Sequence, residues 1–152
     1  MEVDLSDTTV LVTGGTRGIG RAIVDRFARA GARVAFTYRS SAGEAESIVD
    51  ALESEGTEAL SLQGDVADPD VAQSHVDAVL DRFDTLDVLV NNAGITRDGL
   101  LLRLKEQDWD AVLDTNLKGV FNFSKAAYRP MMRQQGGAII NSSSVGGSTG
   151  ND

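Results

Sequence analysis

Apolar residues in this chain fall into short solid runs, separated by longer stretches where they recur every three or four positions. Solid runs read as strands buried on both faces, and the spaced stretches read as helices with one packed side. Thr9 to Val12 is the first run, rich in β-branched residues and stopped by Gly14-Gly15. The spacing of Ile19, Ala22, Ile23 and Phe27 predicts a helix over Ile19 to Arg29, with Gly31 ending it. Further strands are predicted over Arg33 to Tyr38, Glu58 to Leu62, Leu86 to Val90 and Ala138 to Asn141. Between them lie a helix over Gly43 to Ser54, another opening at Asp68-Pro69, and a long one from about Glu106 to Met132. Asp68 suits the N-cap there, and Pro69 the first helical turn.

Strictly alternating strands and helices imply an α/β fold, a Rossmann-type doubly wound parallel sheet in one domain spanning residues 1–152. Right-handed crossovers place the strands in the order 3-2-1-4-5, with the fifth as an uncovered edge. Val112, Leu113, Val120 and Phe121 on the long helix face either the sheet or a further helix, and periodicity alone does not choose between them.

Composition narrows the chemistry. The 152 residues contain no Cys and one His, His75, which removes disulfides and thiolate chemistry and argues against a histidine-ligated metal. No apolar run is long enough to span a bilayer, and the N-terminus has no basic, apolar leader, so a cytoplasmic protein is expected. The net charge of −9 comes with no basic cluster, which excludes a nucleic-acid partner. Its acids are mostly Asp, and Lys105, Lys118 and Lys125 are its lysines. Such a surface suits a salt-rich cytoplasm and an ordinary acidic enzyme equally.

The segment Thr13-Gly14-Gly15-Thr16-Arg17-Gly18-Ile19-Gly20 joins the first strand to the first helix. Gly14 permits the sharp turn, Gly18 lets backbone approach a pyrophosphate, and Gly20 lets helix and strand pack closely. The helix start offers unpaired N–H groups to phosphate. A dinucleotide site is therefore expected. An NAD site usually carries an acid at the end of the second strand, but Tyr38-Arg39-Ser40-Ser41 has none. Arg39 and Arg17 can instead pair with a ribose 2′-phosphate, which favours NADP(H).

Together these segments resemble the short-chain dehydrogenase/reductase family. Thr13-Gly14-xxx-Gly18-x-Gly20, Asp65-Val66, Asn91-Asn92-Ala93-Gly94, Asn116 and Ser144-Val145-x-Gly147 match its motifs in order along the whole chain. Ile95-Thr96-Arg97-Asp98, Leu100 to Lys105 and Trp109 resemble the branch acting on 3-oxoacyl thioesters and argue against sugar or steroid dehydrogenases. The resemblance implies reduction of a 3-oxoacyl group, carried on acyl carrier protein or CoA, by NADPH. It implies that Gly14 to Gly20, Arg39, Asp65, Val66, Asn92, Ala93 and Gly94 hold the cofactor, Asp65 and Val66 as the pair that contacts the adenine. Ser144 would bond the substrate carbonyl, and the main chain of Asn116 would hold a relay water. The family's acid lies in a Tyr-xxx-Lys motif that falls beyond Asp152, and neither Tyr38 nor Tyr128 replaces it. The chain is thus expected to be the N-terminal part of a longer, commonly tetrameric enzyme, truncated after the fifth strand and inactive alone. A non-catalytic NADP-binding or assembly subunit is the rival reading.

Arg129 and Arg133 could dock an acidic carrier, although arginines near a helix end also suit the helix dipole. His75, among Gln73, Ser74 and Asp77, is expected on a wet helix face without a catalytic role. Trp109 is expected to pack at the start of the long helix.

Overall fold

Five parallel strands form one sheet in the order β3-β2-β1-β4-β5, in a computed structural model that describes residues 3–145. They are β1 (Thr9–Val12), β2 (Arg33–Tyr38), β3 (Ala59–Gln63), β4 (Val88–Asn91) and β5 (Ala138–Asn141). The helices are α1 (Gly18–Arg29), α2 (Ala42–Ser54), α3 (Pro69–Phe83), α4 (Glu106–Leu113) and α5 (Gly119–Gln134). The doubly wound order follows the expectation, and strand boundaries shift by a residue or two.

Successive strand side chains point to opposite faces, so each strand feeds two cores. Val10, Val12, Val34 and Phe36 meet Val24 and Ala28 of α1 and Ile48 and Leu52 of α2. On the other face Leu11, Ala35 and Leu89 meet Val76, Val79 and Phe83 of α3 and Phe123, Ala127 and Met131 of α5. Each fully buried Phe or Leu contributes about 1.5–3 kcal/mol, so these two layers carry the fold. Asp68 caps α3 as expected, its carboxylate accepting from the Asp70 N–H at 2.9 Å.

The long helix is not uniform. A π-helical turn at Asp114–Lys118 joins α4 to α5, and such turns are frequent at functional sites. Around it Leu113 and Phe121 are exposed and Val112 and Val120 half-buried, so this outer side does not face the sheet. Trp109 is also exposed, at 57%, and does not pack as expected. β5 is paired on one side by β4, and Ile139 and Ile140 remain exposed. Leu86 lies before β4 instead of within it. Its N–H and carbonyl are bridged by the Gln134 side-chain amide at 3.0 and 3.1 Å, which substitutes for a ladder partner.

His75 departs most from expectation. It is buried on α3, in the row Ala72, His75, Val76, Val79, Phe83, with its ring 6.0 Å from that of Phe123. Nε2 donates to the Gln63 carbonyl at 3.1 Å, so Nδ1 carries the lone pair, and Nδ1 has no hydrogen-bond partner among the described residues. Burial holds its pKa below 6.5, and the Gln63 bond only partly opposes that shift. A folded-state pKa below the unfolded one means that protonation favours unfolding. Stability attributable to His75 is complete above about pH 6.5 and is lost as pH falls through the folded pKa. Urea midpoints at about pH 7.5 and pH 5.5 should therefore drop more for the wild type than for His75→Leu. Equal drops would contradict this role.

Candidate functional site

The carboxyl ends of the strands open into a cleft of about 620 Å³, the position at which open α/β sheets bind ligands. Every expected cofactor-contact residue lines it except Gly15. Gly15 instead lies against the β2 core, where a Cβ would come within 2.4 Å of Phe36 Cβ. Ile19 is on the cleft and 69% exposed, so it belongs to the site and not to the packed side of α1. That side is formed by Gly20, Val24 and Ala28.

Thr13 organises the floor. Its Oγ1 accepts from the N–H groups of Asn92 and Ala93, both at 3.0 Å, fixing the end of β4 to the end of β1. Asn92 returns the contact, its Nδ2 donating to the carbonyls of Thr13 and Gly14 at 3.1 and 3.3 Å. Thr37 Oγ1 accepts from the Gly14 N–H at 3.1 Å. Gly14 and Gly18 have φ of +71° and +56°, left-handed values that disfavour other residues. A Cβ on Gly20 would lie 2.0 Å from the Gly14 carbonyl oxygen, so only glycine lets α1 start this close to β1. Arg17, the N-cap of α1, makes no side-chain cap bond, which leaves the first-turn N–H groups for an anion.

At one end of the cleft Arg39 Nη2 lies 3.3 Å from Asp65 Oδ2. At the other, Asn116 in the π-helical turn grips Ile95, accepting from its N–H at 2.8 Å and donating to its carbonyl at 2.9 Å. Asn116 therefore supports the wall next to Gly94 instead of lining the cleft. Asn91, buried below, donates to Asn141 Oδ1 at 2.9 Å and Ser124 Oγ at 3.2 Å. The Ser142 N–H donates to the Asn91 carbonyl, so the segment leaving β5 begins beside β4 and carries the exposed Ser144. Gly147 lies outside the described residues. Among the described residues no group of three His, Cys, Asp or Glu could hold a metal, and no helix is long and apolar enough to cross a membrane.

Thr13, Thr37 and Ile95 were not expected as site residues. Thr37 carried a readable signal, being a polar β-branched residue directly after the apolar run Val34-Ala35-Phe36.

A family profile described as short chain dehydrogenase matches residues 8–152. The chain belongs to that family. It is 51% identical over 143 residues to a 3-oxoacyl-[acyl-carrier-protein] reductase of Staphylococcus aureus, covering 94% of this chain and 58% of the relative. A reductase of the same name from Synechocystis sp. is 46% identical, with 97% and 60% covered. Among solved structures, a short chain dehydrogenase from Burkholderia cenocepacia in complex with NADP superposes with a TM-score of 0.91 at 42% identity, over 97% of this chain and 60% of that one. The chain thus spans about three-fifths of the length of these relatives.

Proposed function

We propose that residues 3–145 form the cofactor-binding part of an NADPH-dependent reductase of 3-oxoacyl thioesters. The observation that carries this reading is the pairing of the glycine cradle with Arg39 at a strand end that lacks an acid. It is supported by the names of the relatives and by the solved NADP complex. The cradle fits a pyrophosphate, since Gly18 faces open space and the start of α1 offers its N–H groups. Arg17 and Arg39 fit a 2′-phosphate.

When bound, NADPH supplies a hydride to the ketone carbon. Asn92, Ala93 and Gly94 shape the nicotinamide end, held by Thr13. Ser144 donates a hydrogen bond to the substrate carbonyl, so charge developing on that oxygen is stabilised where it forms. Asn116 keeps the Ile95 wall in place, and its main chain can hold a water that relays the proton. Tyr38 is not the acid. It ends β2, and β1 and β4 separate it from β5, three strand spacings of about 4.8 Å each. Arg129 and Arg133 stand exposed near the end of α5, available to the acidic carrier protein or to CoA phosphates; the resemblance to the family implies a homotetramer for the whole enzyme.

The test is NADPH oxidation driven by acetoacetyl-CoA and by its carrier-protein equivalent, using the full-length protein. Ser144→Ala should lower kcat about 10²- to 10³-fold with little change in KM. Thioester-independent oxidation, or turnover indifferent to Ser144, would refute the assignment.

A further inference from the structure

One buried polar residue on α5 has no part in the cleft, yet it is connected to it. Asn122 is 5% exposed and stands in the packed row of Gly119, Phe123, Ala126 and Ala127. An apolar side chain of that volume would pack there without the cost of burying an amide. The amide is offset by one bond, Nδ2 donating to the Val66 carbonyl at 3.0 Å.

That carbonyl belongs to the Val66–Ala67 peptide, whose N–H donates to Asp65 Oδ1 at 3.0 Å. The peptide unit is therefore gripped at both ends and cannot rotate without breaking one of the two bonds. Asp65 has one oxygen fixed by this peptide and the other 3.3 Å from Arg39. Gly119, one turn earlier on α5, lets the helix close on the turn, since a Cβ there would lie 2.8 Å from Val66 Cγ2.

We propose that Asn122 is a positioning residue for the ribose 2′ end of the cleft: it sets the Val66–Ala67 peptide, through it the Asp65 carboxylate, and through that the Arg39 guanidinium. The proposal rests on the reading that this cleft takes NADP(H). An exposed Arg–Asp pair is worth little by itself, about 0–1 kcal/mol, so Arg39 is held in place only if the carboxylate is already oriented. Guanidinium has five donors in a planar fork, so Arg39 can keep Asp65 and still offer N–H groups to a phosphate.

The experiment compares Asn122→Leu with the wild type by dissociation constants for NADPH and NADH, and by the Ala67 amide signal in the ligand-free protein. The variant should narrow the NADPH-over-NADH preference about five- to tenfold, weaken NADH much less than NADPH, and speed Ala67 amide exchange. A residue that only packs α5 would weaken both nucleotides alike and leave their ratio unchanged. That result overturns the proposal, as does an unaltered Ala67 amide. Should Asn122→Leu not fold, Asn122→Ser, which keeps a hydroxyl but falls short of Val66, should narrow the ratio by a smaller factor. A wild type that shows no NADPH preference removes the cofactor reading instead. The Ala67 amide then decides whether Asn122 braces the turn.

Discussion

Gly20→Ala should abolish measurable dinucleotide binding, a loss of about 100-fold or more. The added methyl would sit 2.0 Å from the Gly14 carbonyl oxygen and 2.5 Å from Asn92 Nδ2. Neither neighbour is a flexible side-chain end able to swing aside. Gly14 is backbone in a tight turn, and Asn92 is tied to Thr13. Either α1 must withdraw from β1, carrying the phosphate-facing N–H groups with it, or the Gly14 turn must open. Overpacking of this kind also costs about 1–3 kcal/mol of stability. Gly43→Ala is the matched control, because a Cβ there meets nothing within 4 Å and the position lies in α2. It should bind NADPH like the wild type and melt at the same or a higher temperature. Retained binding in Gly20→Ala, measured by titration, would mean that the cradle is not where the nucleotide lies.

Arg39→Glu should invert the cofactor preference. Arg39 is 68% exposed on its side chain, so the substitution removes little packing. Charge-assisted hydrogen bonds contribute about 1.5–3 kcal/mol, so their loss together with charge reversal should weaken NADPH about 100-fold. NADH should bind at least as well as before, since a carboxylate at this strand end can accept from a ribose hydroxyl. The new acid would also stand beside Asp65, which Arg39 contacts at 3.3 Å, so part of the NADPH loss will be relieved by salt. Binding isotherms for both nucleotides at two ionic strengths separate these contributions. Equal weakening of both nucleotides would exclude Arg39 as the discriminating group.

The sheet was legible because parallel strands buried on both faces leave solid apolar runs, and because glycines punctuate them. Thr9–Val12 and Arg33–Tyr38 could be located to the residue. The cleft was legible for a related reason, since close backbone approach leaves Gly14, Gly18 and Gly20 as its trace. His75 was misread because its sequence neighbours are polar, although positions 72, 75, 76, 79 and 83 place it on the helical stripe that is buried. Ile19 was expected both in the helical spacing and at the cofactor, and the first turn of α1 projects it over the cleft, 69% exposed. The π-helical turn leaves no mark in hydrophobic spacing, so two helices and a bulge read as one long helix. Asn122 was not legible at all. Its role depends on a carbonyl 56 positions earlier in the chain, and only the packing of α5 against the β3–α3 turn brings the two together.

The most direct test of the account is a paired titration of the 152-residue chain with NADPH and NADH under one set of conditions. Arg39, preset by Asp65 and joined by Arg17, should make NADPH bind at least about tenfold tighter, with the gap shrinking as salt rises. Tighter binding of NADH, or no binding of either nucleotide by the folded chain, would contradict it.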